Sequence, residues 1–158
     1  MSSIAVPYFM GEPMPFLGQV PADREVTPEV PDAAPQERMG VLYRHLADAV
    51  AADPAPRDFA GDCVAVIGVL AGLQRRGVDP TLLWFDAHGD FHTWETTASG
   101  FLGGMPLAML TGRGEQTIPK ACGQQALPDE HVVLVGARDL DPGEDEAVAC
   151  LLYTSPSP

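Results

Sequence analysis

Three side chains of the kind that bind metal ions, Asp86, His88 and Asp90, stand at alternate positions directly after the apolar segment 81–85. On an extended backbone, alternate residues project to the same side, so the three side chains are expected to converge. Ligands bind in open α/β sheets at the carboxyl ends of the strands, where these residues lie. Two carboxylates and one imidazole suit a divalent ion such as Mn²⁺, Fe²⁺ or Zn²⁺. The alternative is that both carboxylates cap a loop while His88 satisfies local hydrogen bonds.

The elements that would position these ligands alternate between strands and helices. Strands are predicted over 4–8, 81–85 and 132–135, and helices over 36–52, 64–76 and, as a short one, from 106 to 110. The segments TLLWF and VVLV are apolar on both faces, as expected for strands buried inside a parallel sheet. Asp62 and Gly77 are the predicted caps of the second helix. This alternation predicts an α/β fold with a parallel sheet in three layers.

Composition limits the classes of function. The chain has 158 residues, with 22 acidic and 9 basic side chains, a formal net charge of −13 and a hydrophobic content of 46%. That length and hydrophobicity suit one domain with a substantial core. The acidic balance argues against nucleic acid or a membrane surface as partner and favours a metal or a small cationic substrate. Three scattered cysteines indicate reduced thiols and a cytoplasmic protein.

Three segments together resemble a known family. Residues 86–106, DAHGDFHTWETTASGFLGGMP, are similar to the arginase–agmatinase (ureohydrolase) signature in which DAHxD is followed by a threonine-rich stretch and SGxxHGMP. Residues 61–63, GDC, followed by an apolar helix, are similar to the family's GGDHS segment. Residues 138–144, RDLDPGE, are similar to the RDxDPGE run of arginases. The three segments occur in the family's order, so the chain resembles an arginase-like member.

The resemblance implies a fold and a chemistry. The fold is a three-layer α/β/α sandwich with a parallel sheet, and the reaction is hydrolysis of a guanidino C–N bond, which releases urea at two Mn²⁺ ions. Two metals that share one water lower its pKa and produce hydroxide near neutral pH. In this chain the resemblance implies that Asp86 bridges both metals, while Asp90 binds one and His88 the other.

The resemblance also implies a substrate. Ser99 would contact an α-carboxylate, and Asp141 and Glu144 would hold an α-amino group, which favours L-arginine or a similar amino acid over agmatine. The alternative for Asp141 and Glu144 is a solvated acidic turn, because Asp-Pro-Gly favours turns in its own right.

Three positions depart from the family pattern. Cys63 replaces a histidine ligand, and a thiolate would shift the preference toward Zn²⁺ or Fe²⁺, unless Cys63 is only a small buried residue. Gly103 replaces the proton-shuttle histidine of arginases and cannot transfer a proton. His92 replaces an asparagine that helps to bind the substrate carboxylate. His92 is therefore the candidate catalytic acid–base group, with an ordinary surface histidine as the alternative.

The remaining metal carboxylates of the family belong to an SxDxDxxDP motif that does not occur before Pro158. Residues 1–149 are therefore interpreted as the N-terminal half of one arginase-like domain, with a Pro-rich surface loop over 11–36. Residues 150–158 are interpreted as a non-native tail, and the chain itself as inactive. Residues 57–60 are expected to be weak as a buried strand.

Two other functions stay open. One is a non-catalytic binding or regulatory relative on the same fold. The other is a C–N hydrolase for an agmatine- or formiminoglutamate-type compound. Assembly into a homo-oligomer is compatible with either function.

Overall fold

The computed structural model of the chain describes residues 2–151 and 153–155, with side chains described through Val148. The chain forms two compact units. Unit 1 comprises Met1–Asp79 and Thr117–Gln125, and unit 2 comprises Pro80–Gln116 and Ala126–Pro158. In chain order the elements are β1 (Ser3–Val6), β2 (Tyr8–Phe9), β3 (Glu12–Pro13), β4 (Arg24–Glu25), α1 (Pro35–Ala51), β5 (Arg57–Ala60), α2 (Val66–Arg75), β6 (Leu82–Phe85), α3 (Pro106–Leu110), α4 (Thr117–Cys122), β7 (Val132–Val135), α5 (Glu144–Leu151) and β8 (Tyr153–Ser155).

Unit 1 contains a parallel sheet and three helices. The strand order is β4-β1-β5, and β1 pairs parallel with both neighbours. Helix α1 confirms the helix predicted over 36–52. Its apolar residues at three- and four-residue spacing are fully buried: Met39, Leu42, Leu46 and Val50. Such a stripe at three- and four-residue spacing is what fixes the face that a helix turns toward its core.

Helix α2 packs against α1 through small residues. A Cβ atom at Gly72 would lie 2.6 Å from Val50 Cβ, so only glycine permits this approach. A 3-10 turn, Cys63–Ala65, precedes α2. Asp62 stands at the predicted cap position, but its carboxylate accepts hydrogen bonds from Tyr43 Oη at 2.5 Å and Met10 N at 2.8 Å. Gly77 has φ +75°, which confirms the predicted left-handed cap.

The Pro-rich segment 11–36 is not one continuous loop. It contains β3, a 3-10 turn at Pro15–Gln19, and β4, which pairs parallel with β1. The pairing is extended by hydrogen bonds from Asp23 N to Ser3 O and from Val26 N to Ala5 O. A two-residue strand carries too little sequence pattern to be predicted. Residues 57–60 do form a strand, β5, which is only partly buried, in line with their weak pattern.

Unit 2 contains a second parallel sheet, in the order β6-β7-β8. The prediction that residues 81–85 are buried on both faces is wrong. Trp84 is buried, but Leu83 is 57% exposed and Phe85 is 75% exposed. Alternate residues of a strand point to opposite faces. The described residues therefore cover only the Trp84 face of β6. On β7, Val132 and Leu134 are buried and the two other valines are partly exposed.

Some of the remaining elements are predicted from the sequence and others are not. Helix α3 confirms the short helix predicted from residue 106. Helix α4 is not predicted from the sequence, because six residues with an internal Pro119 show no helical period. Strand β8 is also unpredicted, and it pairs parallel with β7. The predicted non-native tail, 150–158, lies partly outside the described residues. No helix of the described residues is long and apolar enough to cross a membrane.

Candidate metal and substrate site

The two loops that follow β6 and β7 lie side by side in unit 2. Because β6 and β7 are parallel neighbours, their carboxyl ends meet at one edge of the sheet. Backbone hydrogen bonds then join the loops: Asp86 N donates to Val135 O, and the amides of Arg138 and Asp139 both donate to Ala87 O at 2.9 Å. The segment that begins at Asp86 is thereby held against the segment that follows β7.

A cavity of about 260 Å³ opens between these loops. Six of the residues predicted from the sequence line it: His88, Asp90, His92, Ser99, Asp141 and Glu144. Four further residues complete the lining: Phe101, Gly103, Gly104 and Asp139. The structure thus brings two of the three predicted metal ligands of unit 2, His88 and Asp90, into one pocket with the predicted substrate contacts. The third, Asp86, is not part of this lining.

Asp90 is buried in a way that suits a cation. It is 6% exposed, and its Oδ2 has no hydrogen-bond partner among the described residues. A carboxylate oxygen of Asp86 and one of Asp90 lie within 4.8 Å of each other. Burial, and next the charge of Asp86, raise the pKa of Asp90 to about 7. Two converging carboxylates, one with an unpartnered buried oxygen, fit a divalent cation.

His88 is hydrogen-bonded to Asp86 and lies near a carboxylate of the second loop. Its backbone N donates to Asp86 Oδ1 at 2.9 Å, and its Nδ1 lies 3.1 Å from the same oxygen. Its Nε2 lies 3.9 Å from Asp139 Oδ2. No role is assigned to Asp139 from the sequence, although a signal was available: it follows strand β7 as the metal-type residues follow β6.

The buried carboxylate of Glu144 is hydrogen-bonded to the backbone of both loops. Its side chain is 4% exposed, so the alternative of a solvated acidic turn is wrong for this residue. Glu144 Oε1 accepts from Phe91 N at 2.9 Å, and Oε2 accepts from Asp141 N at 3.3 Å. A Cβ atom at Gly89 would lie 2.6 Å from Glu144 Cδ. The glycine between His88 and Asp90 is therefore what lets this carboxylate pack against the loop.

His92 lies in the pocket and not on the open surface. Its side chain is 11% exposed, and its Nε2 lies 3.0 Å from Asp141 Oδ2 and 3.8 Å from Glu144 Oε2. Gly103, which stands where the family resemblance places a histidine, lines the same pocket. Ser99 also lines it, and Ser99 Oγ accepts from Phe101 N at 3.2 Å.

Cys63, the remaining predicted ligand, belongs to unit 1. It is the first residue of the 3-10 turn that follows β5, and its side chain is exposed, which is against the alternative of a buried structural thiol. The preceding Asp62 is bound by Tyr43 and Met10, and burial raises the pKa of this carboxyl. Asp62 therefore acts as a structural anchor at the start of the turn.

Comparison with known proteins gives a consistent result. The sequence profile of the arginase family matches residues 16–154. The chain is 40% identical to the arginase of Bacillus caldovelox over 94 residues, which are 59% of this chain and 31% of that relative. The crystal structure of arginase from Bacillus cereus superposes with a TM-score of 0.79 at 25% identity, covering 98% of this chain and 63% of that one.

A third similar protein is the arginase of Entamoeba histolytica, solved in complex with L-ornithine. It superposes with a TM-score of 0.73 at 25% identity, covering 96% of this chain and 63% of that one. These solved structures confirm the predicted α/β fold with parallel strands. The match to the curated Bacillus caldovelox relative spans about a third of that relative's length.

Proposed function

Because the chain belongs to the arginase family, we propose that its pocket serves the metal-dependent hydrolysis of a guanidino C–N bond, which yields urea and an amine. One observation carries the proposal. His88 and Asp90 of the segment after β6 line the same cavity as Asp141 and Glu144 of the acidic turn after β7. Two candidate metal ligands and the groups for a cationic substrate therefore face one space. A cationic substrate also suits the net charge of −13. Separately, the three scattered cysteines favour a location in the reducing cytoplasm.

Asp86, His88 and Asp90 are the residues of unit 2 that would hold a divalent metal. Two Mn²⁺ ions are the expected cofactor, and Zn²⁺ or Fe²⁺ would be favoured if the Cys63 thiolate takes part. When bound, such ions lower the pKa of water and supply hydroxide near neutral pH. The chain's own contribution is to hold the Asp90 carboxylate in the interior, where burial withdraws competing water from it.

The other pocket residues would bind substrate and move a proton. We assign the acid–base role to His92, whose Nε2 lies inside the pocket beside Asp141. General acid–base help of this kind is worth about 10²- to 10⁴-fold in rate. Ser99 and Asp141 would contact the carboxylate and the α-amino group of an amino acid such as L-arginine. Glu144 would hold the loops in place through Phe91 N and Asp141 N.

A second function, ligand binding without turnover, is favoured by one observation. Gly103 lines the pocket at the position where the family resemblance places the proton-shuttle histidine. If His92 does not replace that histidine, the pocket binds a guanidino compound and does not hydrolyse it at a useful rate.

A chimera tests the hydrolase proposal, because the chain matches only about a third of its curated relative. Residues 1–148 would be followed by the C-terminal remainder of Bacillus caldovelox arginase and supplied with Mn²⁺. We expect urea release from L-arginine in preference to agmatine, with N-formimino-L-glutamate as a further candidate substrate. The 158-residue chain alone should release none, since the family's second bridging carboxylate motif is not in its sequence.

The matched variants of the chimera are Asp86→Asn, which should abolish urea release, and Glu146→Gln, an exposed position in α5 that should leave it unchanged. A folded chimera that binds L-ornithine but releases no urea from any of the three compounds would support the binding function instead. Turnover that survives Asp86→Asn would contradict the assignment of the metal ligands.

A further inference from the structure

The imidazole of His92 occupies the end of the pocket formed by Asp141 and Glu144. Nε2 lies 3.0 Å from Asp141 Oδ2, a hydrogen-bond distance, and 3.8 Å from Glu144 Oε2. A cationic group that enters the pocket seeks the same carboxylates. The ring of His92 and such a group therefore compete for one position.

The ring is held in this position from its other side. The Thr96 hydroxyl accepts a hydrogen bond from Thr93 N at 2.9 Å and lies 3.2 Å from His92 Nδ1. The same hydroxyl also lies 3.5 Å from Thr93 O, to which it can donate. Because a carboxylate oxygen only accepts, Nε2 carries the hydrogen in its contact with Asp141 and donates it to Oδ2. The imidazole thus spans Thr96 and Asp141, with a good partner at each nitrogen.

Asp141 is the carboxylate that an incoming group can reach. Both oxygens of Glu144 already accept backbone N–H groups, and its side chain is 4% exposed. The Asp141 side chain is 70% exposed, and its Oδ2 contacts His92 Nε2. Releasing this oxygen requires moving only one side chain, because Glu144 binds the Asp141 amide and not its carboxylate.

We propose that His92 is a specificity-determining residue, whose imidazole must leave Asp141 before an ammonium group of a ligand can bind there. The proposal rests on the proposed function, since it concerns the cationic ligand of the same pocket. It implies that ligands with an ammonium group at this end bind more weakly than the two carboxylates alone would allow. Ligands that lack this group bind without displacing the ring.

Two matched ligands and two matched variants test this with the 158-residue protein. L-Ornithine and 5-aminopentanoate share a carboxylate and a terminal ammonium, and only L-ornithine has the α-ammonium group. His92→Ala removes the donor to Asp141 without adding a polar group, whereas His92→Gln keeps an amide donor near the position of Nε2. His45→Asn, on α1 in unit 1, is the control for losing a histidine elsewhere.

Calorimetry should show that His92→Ala binds L-ornithine about five- to tenfold more tightly than the unmutated protein, because one hydrogen bond no longer has to be broken. Binding of 5-aminopentanoate should change by less than about twofold, and His92→Gln and His45→Asn should behave like the unmutated protein. In ¹H–¹³C spectra of the unmutated protein, L-ornithine should shift the His92 ring signal, and 5-aminopentanoate should not.

Unchanged or weaker L-ornithine binding in a folded His92→Ala protein would overturn the inference, and so would an equal gain for both ligands. An unmoved ring signal, or no L-ornithine binding by either protein, would overturn it as well. These readouts do not depend on turnover. A chimera that releases no urea, together with the expected binding pattern, would contradict the hydrolase proposal and leave the role of His92 intact. Urea release by the chimera without the expected binding pattern would support the hydrolase proposal and contradict the role of His92.

Discussion

At Asp90 the chain holds a carboxylate oxygen in its interior beside a second carboxylate, that of Asp86. The backbone there has φ +50°, a left-handed conformation that few residues other than glycine adopt. Burial and the neighbouring charge together raise the pKa of Asp90 to about 7. A cation placed between the carboxylates would reverse both effects, because it favours the ionised form. A divalent ion bound between the two carboxylates would also give the buried Oδ2 of Asp90 a partner.

This reading predicts a pH-dependent affinity for a divalent ion. Below pH 7 Asp90 carries a proton that a metal must displace, and above pH 7 the carboxylate is free to bind. We therefore expect Mn²⁺ affinity to increase as pH rises from about 6 to about 8. Calorimetry at several pH values would measure this. Asp90→Asn should lose the binding, while Glu146→Gln, an exposed acidic position, should keep it; equal affinities in both variants would contradict the site.

Asp58 gives a second prediction, on stability. Its Oδ1 is buried without a hydrogen-bond partner among the described residues, and burial, then the charge of Asp53, raise the pKa of Asp58 to about 6. The unfolded chain ionises near the ordinary value of 3.8. The folded state therefore binds the proton more tightly, and ionisation costs stability as pH rises from about 4 to about 6.

Asp58→Asn should remove that cost. Because the carboxyl is partly solvated, we expect a gain of only about 1 kcal/mol in the free energy of unfolding at pH 7.5, and none at pH 3.5. Chemical denaturation at the two pH values would measure it. Asp32→Asn, in an exposed loop position, is the control. A gain of the same size at both pH values would show that the effect is not due to ionisation.

At the scale of elements, the contact between α1 and α2 depends on glycine. A Cβ atom at Gly72 would lie 2.6 Å from Val50 Cβ and 2.7 Å from Ala47 O. Alanine favours a helix by about 1 kcal/mol over glycine. The overlap with backbone and side chain should outweigh this gain, so we expect Gly72→Ala to destabilise the protein by about 1–3 kcal/mol.

Thermal denaturation would compare Gly72→Ala with Gly18→Ala. At Gly18 the nearest atom to an added Cβ is Glu25 Oε1, 4.0 Å away, so the second substitution meets no obstacle. An unchanged melting temperature for Gly72→Ala would mean that the two helices pack less closely than the structure has them.

The elements also show what the sequence can and cannot predict. Helix α1 is predictable because four apolar residues repeat at helical spacing, and β7 because its apolar run is bounded by polar segments. The two-residue strand β4 and the six-residue helix α4 are too short to carry such a period, and pairing with distant partners decides them. The extended backbone assumed for residues 86–90 is wrong, because the strand ends at Phe85, residues 87 and 88 bend and Asp90 has φ +50°. The contact of His92 with Asp141 joins residues 49 positions apart, which no local pattern could predict.

For the whole molecule, the uncovered face of β6 has a consequence for solubility. Leu83 and Phe85 project from one face and are 57% and 75% exposed, while Trp84 on the other face is buried. A predicted apolar run marks a strand but does not tell whether both its faces are covered, which explains why this part of the prediction failed. Adjacent exposed apolar side chains on a strand promote association between molecules.

We therefore expect the 158-residue protein to aggregate, and the double substitution Leu83→Thr with Phe85→Thr to reduce aggregation. Threonine keeps the strand preference of the segment while it removes apolar surface, so the far-ultraviolet circular dichroism spectrum should be unchanged. Light scattering against protein concentration would measure the effect. Trp84→Thr is the matched control: it acts on the buried face, and it should lower stability without improving solubility. Equal aggregation of the double variant and the unmutated protein would show that this face is not the surface through which the molecules associate.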